Sequence, residues 1–473
     1  MKYVSKKINY WREYYLYLFF LGMIIRAVNI YSLLPQTFDS IFFKILGVLG
    51  ITLLFFDFII NVKKGLFPYS LLLSLYMFFL LVSTIINYRY GVGENAKIIM
   101  WSLIQYFVIY QFAYDNPNFE KFFDGISLGF IYSWFVLSLG SIILFFCKFG
   151  YEKYYDARHR IRIGFLESRL FGLFSDVNNG AIAALAVIIL ALLFLYQKRV
   201  KGFSKAILVC SIPLQLVFIV LSGSRSTYLI TILIIFIGVF TIVVKESKIE
   251  KFFYKFLLAI LFSGISAILF ILFYNFVKWG FQEILPYLKE IRFGNKKDKF
   301  LEKHVSTANP TTADGNTLVR KDVADNTDVS NARLSIWKSA FDLFKTSMII
   351  GISPKNIVPY AQNVIPNGYI AKIQIAIHNA YLNVLTSTGI LGFIPFSLFL
   401  LKSVFFSIKY IITKPLKLFN YRFFYCLILL SYVLYACLNN ELVYENTIGT
   451  FIFWLFLGRV NNTRGTEKFI LFK

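Results

Sequence analysis

Apolar residues fall in blocks about 20 residues long, with short polar segments between them. A helix of about 20 apolar residues crosses roughly 30 Å of hydrocarbon, so each block predicts a membrane-spanning helix. The predicted spans are residues 14–33, 41–62, 68–87, 96–114, 123–147, 180–197, 205–222, 226–244, 254–277, 382–401, 421–439 and 445–459. The predicted fold class is therefore all-α, a polytopic membrane helical bundle of about 12 transmembrane helices. A large, partly helical external loop is predicted between helices 9 and 10.

Composition agrees with this pattern and removes one alternative. Of the 473 residues, 58% are apolar and 16% are charged, whereas about a quarter of a soluble domain is charged. The net charge of +24 would suit a nucleic-acid-binding protein, but such a protein presents a soluble basic face with interleaved aromatic side chains. Here most Lys and Arg lie between the apolar blocks, and most Phe and Tyr lie inside them. A nucleic-acid partner is therefore not expected.

The positions of Lys and Arg predict how the bundle is oriented, because cytoplasmic loops carry an excess of basic residues. With a cytoplasmic N-terminus, the basic loops at 63–64, 198–205, 245–255 and 402–422 all face the cytoplasm. The short loops at 34–40 and 440–444 carry no Lys or Arg, and they then face outward. Both termini of this multi-pass protein are predicted to be cytoplasmic.

Two longer connections lie on the predicted external side and divide the chain into five parts. These are helices 1–5 at residues 1–147, a basic loop at 148–179, helices 6–9 at 180–277, a large loop at 278–381, and helices 10–12 with a cytoplasmic tail at 382–473. The middle of the large loop, residues 304–331, is rich in Thr, Asn, Asp and Ala and reads as solvated. Its second half has helical spacing, with one apolar face formed by Leu334, Trp337, Phe341 and Phe344.

The first candidate site is the turn at residues 222–227, with the sequence Ser-Gly-Ser-Arg-Ser-Thr between two apolar blocks. Arg225 is costly there unless it reaches water or has an anionic partner. One interpretation is a simple turn with a snorkelling arginine. The other is a fixed guanidinium with small hydroxyl neighbours, which would suit a phosphate group.

The second candidate site ends the shorter external loop and runs from Arg169 to Asn179. Asp176, Asn178 and Asn179 are ordinary helix N-cap residues, so capping alone explains them. An arginine-rich cluster precedes them, formed by Arg158, His159, Arg160 and Arg162. This cluster predicts attraction of an anionic substrate, or simply contact with lipid head groups.

The third candidate is His378, where the large loop re-enters the membrane. Imidazole titrates near neutral pH and is the most common general base, although a lone histidine is more often structural. The sequence has no Gly-rich nucleotide loop, no His/Cys metal cluster and no Ser–His–Asp signature. The spaced acids Asp322, Asp325 and Asp328 read as solvated. No metal and no cofactor is therefore predicted.

In this order, the segments resemble the O-antigen ligase and polymerase superfamily of bacterial membrane glycosyltransferases. The resemblance covers about residues 165–460. It rests on Arg169, Gly172 and Asn178 or Asn179, on the turn at 222–226, on Arg333-Leu-Ser-Ile-Trp337 followed by Gly351, and on the His-Asn-x-Tyr-Leu…Gly-Ile-Leu-Gly segment from His378. The Gly351-Ile-Ser-Pro sequence departs from the more common Gly-x-Gly, which leaves the conformation of that loop open.

The resemblance implies transfer of a glycan from an undecaprenyl-pyrophosphate carrier to a hydroxyl of a second glycan, outside the bacterial plasma (inner) membrane. It implies that His378 is the general base and that Arg225 is catalytic, without a metal. It implies pyrophosphate or substrate contacts for Arg169, Arg225, Arg333, Asn179, Trp337 and Asn379. Direct displacement with one base predicts inversion at the anomeric carbon. The expected partners are lipid-linked glycans, the bilayer, and a chain-length regulator and flippase of the same pathway.

Several roles are compatible with these residues. A polymerase extends lipid-linked repeat units of O-antigen, capsule or exopolysaccharide, whereas a ligase delivers the finished chain to lipid A core. The abundance of Phe, Ile, Tyr, Asn and Lys suggests an AT-rich gene, common in polysaccharide clusters, and favours the polymerase. A transporter or flippase is a third hypothesis, but the sequence has no repeat symmetry and its two external loops are unequal. A chain-length regulator would need few spans and long coiled coils, which this sequence lacks.

Overall fold

The computed structural model describes residues 2–154, 160–294, 317–318, 332–413, 421–462 and 469–470. Arg158, His159 and most of the polar stretch at 304–331 lie outside these residues, so the interpretations placed on them stay predictions. The helices, in chain order, are α1 Lys2–Ala27, α2 Gln36–Val62, α3 Leu71–Ile86, α4 Val92–Leu103, α5 Gln111–Asp115, α6 Glu120–Phe146, α7 Val177–Tyr196, α8 Gly202–Ser222, α9 Arg225–Glu246, α10 Phe252–Ile284, α11 Arg333–Thr346, α12 Ile357–Val364, α13 Tyr369–Ile373, α14 Ala380–Thr413, α15 Tyr421–Ala436 and α16 Ile448–Asn461.

The membrane bundle has the predicted class. Within the described residues, eight helices are long and apolar enough to cross a membrane, one of them formed by α4, a π-helical segment at Ile104–Tyr110 and α5. The shorter apolar helices α3, α15 and α16 coincide with three further predicted spans. The all-α polytopic bundle is therefore confirmed, while the number of twelve spans stays a prediction.

The first predicted span ends earlier than expected. Helix α1 stops at Ala27, and Asn29–Leu33 form a 3-10 turn instead of the end of a helix running to residue 33. The backbone is diverted because Val28 pairs with Phe174 and the Asn29 amide donates to the Leu173 carbonyl (2.7 Å). This contact fixes the end of α1 to the segment that leads into α7.

Helices α7 and α16 lie at the centre of the bundle. Every residue of α16 from Ile448 to Val460 is buried, and α7 is buried on nearly all sides. Alanines at 181, 183, 184, 186 and 191 keep α7 thin, which lets its neighbours approach closely. In contrast, α10 exposes large apolar side chains along its length, as a lipid-facing helix does.

A four-stranded sheet, which the sequence analysis did not predict, joins the two long loops. Its strands are β2 Phe149–Tyr154, β3 Arg160–Leu166, β4 Arg169–Gly172 and β5 Ile291–Gly294, in the order β4-β3-β2-β5. The β2–β3 and β3–β4 pairs are antiparallel and β2–β5 is parallel. Elsewhere, β1 Leu66–Phe67 pairs antiparallel with β6 Phe469–Ile470. The sheet brings the start of the large loop against the shorter one.

The second half of the large loop forms a small helical layer with its own apolar core. Helix α11 occurs where helical spacing predicted it, and it packs with α12 and α13 through Ile336, Ala340, Leu343, Ile357, Ala361 and Ile370. The predicted apolar face was wrong in one respect. Phe344 is buried, but Leu334 and Phe341 are 64% and 47% exposed. The buried face is rotated around the helix, toward Ile336 and Leu343.

Helix α14 is broken at Gly389, which has φ 61° and ψ −166°. The segment before α12 crosses the break, so that the amides of Ile352 and Ser353 donate to the Thr386 and Ser387 carbonyls (3.0 and 2.9 Å). A Cβ on Gly389 would lie 2.3 Å from the Ile349 carbonyl oxygen, and one on Gly351 would lie 2.4 Å from the Ser387 carbonyl carbon. Only glycine allows two backbones to cross this closely.

The crossing also answers the question left by the Gly351-Ile-Ser-Pro sequence. Ser353 stands where the more common pattern has its second glycine, and it adopts φ 70° and ψ 147°, a region used almost only by glycine. Its hydroxyl lies 2.8 Å from the Thr84 hydroxyl on α3. The serine therefore keeps the glycine-like conformation and is held there by a side-chain contact.

Candidate active site

The three candidate segments meet at one end of the bundle, where α7, α9 and α14 begin and α8 and α15 end; we call this the site end. The turn between α8 and α9 is tight. Gly223 closes α8 in the left-handed region (φ 60°), Ser224 follows, and Arg225 is the first residue of α9. The Arg225 side chain is half-buried. A guanidinium at the first residue of a helix adds to the positive end of the helix dipole, which favours an anion.

The serine hydroxyls of this turn stabilise the turn itself. Ser222 Oγ donates to the Ile219 carbonyl (2.7 Å), and Ser224 Oγ lies 3.0 Å from Thr227 Oγ1. Ser224 and Ser226 are buried. The expected cradle of small hydroxyls is thus directed into the protein, and the half-buried Arg225 remains as the charged group of this turn.

Arg169 links the turn to the start of α7. It lies on β4 with its side chain buried, and its Nε donates to the Ser222 carbonyl while its Nη2 donates to Asn178 Oδ1, both at 2.8 Å. The guanidinium is therefore held in one position by two separate elements. The other two described arginines of the predicted cluster differ, because Arg160 and Arg162 pair with Glu152 and Glu167 at 2.7–3.0 Å. Those pairs neutralise much of the expected anion-attracting charge.

The start of α7 carries the predicted cap. Asp176 Oδ1 accepts hydrogen bonds from the backbone amides of Asn178 and Asn179, both at 2.8 Å. The two asparagine side chains then point to different partners. Asn178 holds Arg169, while Asn179 Oδ1 accepts from the Tyr435 hydroxyl (2.9 Å) and from Asn439 Nδ2 (3.1 Å). Capping explains Asp176, and the asparagines connect the arginines to the end of α15.

His378 lies at the other end of this chain of contacts. It is half-buried, has a left-handed backbone (φ 52°), and lies close to the Asn439 side chain. Burial and the nearby Arg333 guanidinium lower the pKa of His378 below its usual value, while Asp176 and Asn439 oppose this effect. A half-buried imidazole that stays neutral near pH 7 can accept a proton. Its strained backbone is typical of a functional residue.

One comparison with known proteins decides the family of this region. Residues 206–397 match the family model described as O-antigen ligase. This region is therefore similar to an O-antigen ligase and is called the O-antigen ligase-type domain below. No curated protein and no solved structure matches the chain. The resemblance stated from the sequence is thus confirmed over residues 206–397, and it supports a membrane enzyme of the O-antigen ligase and polymerase type.

The O-antigen ligase-type domain contains Arg225, Arg333, Trp337, His378 and Asn379. Arg169 and Asn179 lie before it in the sequence. The contacts of Arg169 with Ser222 and of Asn179 with Asn439 nevertheless bring both residues to the same site. The site is therefore wider than the matched segment.

The remaining predicted site residues, Asn379, Arg333 and Trp337, make contacts that stabilise the fold or lie near His378. Asn379 Nδ2 donates to the Cys437 carbonyl (3.0 Å), and its Oδ1 accepts from the Leu382 amide (2.9 Å), so its side chain positions the start of α14. Arg333 begins α11 close enough to influence His378. Trp337 packs against the small helical core, and its indole nitrogen is buried without a hydrogen-bond partner among the described residues. Sugar stacking by Trp337 stays a prediction.

The sequence analysis missed the loop at 437–447, which completes the site. Besides Asn439, it contains the buried Glu441 and the half-buried Glu445, near Asp176. Burial raises the pKa of Glu441 well above its usual range and the pKa of Glu445 to about 7. Leu442 and Tyr444 have positive φ angles of 103° and 64°. The sequence did contain a signal for this part of the site, because Glu441 and Glu445 lie in a short loop that has no Lys or Arg.

Proposed function

We propose that this protein polymerises oligosaccharide repeat units carried on undecaprenyl pyrophosphate, at the outer face of the bacterial plasma membrane. One observation carries the proposal: the start of α7 connects Arg169 with the surroundings of His378. Asn178 Oδ1 accepts from Arg169, whose Nε donates to the Ser222 carbonyl three residues before Arg225. The neighbouring Asn179 accepts from Asn439, which lies close to His378. A donor pyrophosphate and an acceptor hydroxyl could therefore be held at fixed relative positions.

In the proposed reaction, His378 takes the proton from the acceptor hydroxyl, and that oxygen forms a bond to the anomeric carbon of the donor. The bond between this carbon and the phosphate oxygen breaks, and undecaprenyl pyrophosphate leaves with the electron pair. Attack opposite the leaving group inverts the anomeric configuration. A positioned base typically contributes about 10²–10⁴-fold in rate. Positioned charge donors contribute roughly 3 kcal/mol each to the transition state.

The arginines would supply the charge stabilisation that a divalent cation supplies in other phosphate chemistry. Arg225 stands at the positive end of α9, and Arg169 is fixed at the Ser222 carbonyl, three residues before it. We propose a metal-independent reaction in which these guanidiniums carry the charge of the leaving group.

Two other functions have an observation in their favour. The matched family is described as O-antigen ligase, which favours delivery of a finished chain to lipid A core. The break in α14 at Gly389 resembles the interrupted helices of transporters, although transporters usually carry such breaks in matching halves. The polymerase is preferred because the abundance of Phe, Ile, Tyr, Asn and Lys indicates an AT-rich gene, as is common in polysaccharide clusters.

Reconstitution in liposomes tests all three functions. We expect the purified protein, given lipid-linked repeat unit alone and no ion gradient, to form carrier-linked chains of several repeats, also in the presence of a chelator. Chain transfer that occurs only when lipid A core is added would mean a ligase. Movement of the lipid-linked unit across the bilayer without glycosidic bond formation would overturn the enzyme proposal. NMR of the new linkage tests inversion.

A further inference from the structure

Helix α11 exposes a stripe that combines apolar and cationic side chains. Leu334, Lys338, Phe341 and Lys345 are spaced by four, three and four residues and so share one side of the helix. All four are exposed, Leu334 by 64% and Phe341 by 47%. Single exposed apolar residues also occur on water-facing surfaces, so the surroundings of α11 decide whether this stripe faces water or lipid.

The position of α11 is fixed by the first segment of α14, residues 380–388. That segment starts at the end of α15, where the Ala380 amide donates to the Asn439 carbonyl (3.0 Å). It finishes at the end of α3, where Ser83 Oγ donates to the Ser387 carbonyl (2.8 Å). Helices α3 and α15 each begin after a basic loop predicted to face the cytoplasm, so both end at the site end, and the segment runs across the bundle rather than along it.

After Gly389, α14 turns into the bundle, where Phe396 packs on Tyr76 of α3 (5.0 Å between ring centroids). The whole helix has 34 residues, about 51 Å, which exceeds the roughly 30 Å of hydrocarbon. Residues 390–401 cover about 18 Å, and Lys402 then begins the basic loop predicted to face the cytoplasm. Gly389 therefore lies within the leaflet at the site end, below its boundary with the head groups.

Helix α11 follows this first segment of α14. Leu382 packs against the core of α11, and the Thr386 hydroxyl donates to the Ala340 carbonyl (3.4 Å). At its far end, the Met348 and Ile349 carbonyls accept from the amides of Ile390 and Leu391 (2.8 and 3.2 Å). Helix α11 thus runs along this segment and ends where α14 turns into the bundle.

The exposed apolar side of this region continues into the lipid-facing side of α14. Met348 and Ile349 are 46% and 63% exposed. Directly below them, α14 exposes an apolar stripe formed by Ile390, Leu391, Ile394, Leu398 and Leu401. Since that stripe belongs to a membrane-spanning helix, the same lipid must reach Met348 and Ile349.

We infer that α11 is an interfacial helix whose Leu334 and Phe341 side enters the leaflet at the site end, with Lys338 and Lys345 contacting anionic phospholipid head groups. Lys345 also lies 5.0 Å above the Phe341 ring and 3.1 Å from Asp342. That ion pair is exposed and contributes little, so the lysine can still bind phosphate. One consequence is that Arg333, the first residue of α11, is held at the level of the head groups.

Photo-crosslinking in vesicles of equal parts phosphatidylglycerol and phosphatidylethanolamine tests this inference without an activity assay. p-Benzoylphenylalanine is placed at position 334 or 341, and phospholipid adducts are counted by intact-protein mass spectrometry. Position 269 on α10, where Leu269 is 60% exposed along a spanning helix, is the positive control. Position 335 on the adjacent polar side of α11 is the matched negative control. We expect yields at 334 and 341 close to that at 269 and well above that at 335.

The lysines are tested by the double substitution Lys338→Gln and Lys345→Gln. Each lysine near an anionic surface changes lipid preference by about fivefold. We expect the phosphatidylglycerol share of the adducts at 341 to fall and the share at 269 to stay the same. Equal yields at 341 and 335, or protein adducts in place of lipid adducts at 341, would overturn the interfacial position. An unchanged phosphatidylglycerol share would overturn the head-group contact.

Discussion

The two sides of the candidate site are held in different ways. The arginine side consists of Arg225 at the first residue of α9 and Arg169 on β4, and Arg169 is fixed by the Ser222 carbonyl and by Asn178. The histidine side, His378 with Asn439, is built from irregular loops with a left-handed residue at its centre. A pyrophosphate-binding site requires fixed positive charge, whereas a base requires a tuned proton affinity. The difference indicates two separable functions. Substitutions on the histidine side should reduce turnover alone, whereas substitutions on the arginine side should also weaken donor binding.

The largest effect is expected from His378→Ala. Loss of the base should reduce glycan transfer by about 10²–10⁴-fold, while binding of the lipid-linked donor is retained, because the arginine side is untouched. Turnover and donor binding are measured on the reconstituted protein. His304→Ala is the matched control, since it makes the same substitution elsewhere in the large loop, and it should leave both unchanged. Normal turnover in His378→Ala would show that His378 is not the general base.

The second effect is expected from Arg225→Ala. Removing one positioned donor should lower turnover by about 10²–10³-fold, and donor binding should weaken as well, unlike in His378→Ala. Arg225→Lys keeps the charge but not the planar fork, so partial recovery is expected. Arg199→Ala, which removes an ion pair with Asp124 at the other end of the bundle, is the control for lost arginine charge. Donor affinity equal to that of the unchanged protein would place the pyrophosphate elsewhere.

A third prediction concerns pH and separates the charges around His378. Because burial and Arg333 lower the pKa of His378, the neutral base should persist below pH 6.5, and activity should fall only at more acid pH. Arg333→Gln removes a charge that lowers this pKa, so the acid limb should move to higher pH. Asp176→Asn removes a charge that raises it, so the limb should move to lower pH.

The position of the limb, not the maximal rate, is the quantity to measure, since either change can also affect substrate binding. Asp176→Asn keeps a side-chain oxygen for the α7 cap, which limits its effect on folding. Shifts in the same direction in both variants, or no shift in either, would show that His378 does not govern the acid limb.

Much of the fold could be predicted because hydrophobic blocks of one length have few solutions in a membrane. The side of α11 that packs against the protein could not be predicted. Helical spacing identifies an apolar face, but it does not show whether protein or lipid covers that face. Leu334 and Phe341 satisfy the spacing and are nevertheless exposed. In a membrane protein, apolar periodicity therefore leaves this choice open.

The arginines of the site could be proposed from sequence because charge in an apolar context is costly. The cost alone is not diagnostic. Arg459 is also buried, yet it donates to the Pro117 carbonyl and the Tyr425 hydroxyl and stacks on Tyr421, so the fold uses it completely. Asn439 could not be found, because it is uncharged and meets His378 across 61 positions of sequence.

The smallest predicted effect is on stability and concerns Ser353, where the segment before α12 crosses α14. Ser353 occupies a glycine region of the backbone, and such residues cost on the order of 1–3 kcal/mol. Ser353→Gly relieves this strain but loses the contact with Thr84 and adds flexibility to the unfolded chain, so we expect a net stabilisation of about 1 kcal/mol or less. Ser353→Ala loses the contact without relief and should be destabilised. Thermal unfolding in detergent measures both variants. If the melting temperature of Ser353→Ala is higher than that of Ser353→Gly, the backbone at this crossing is not strained.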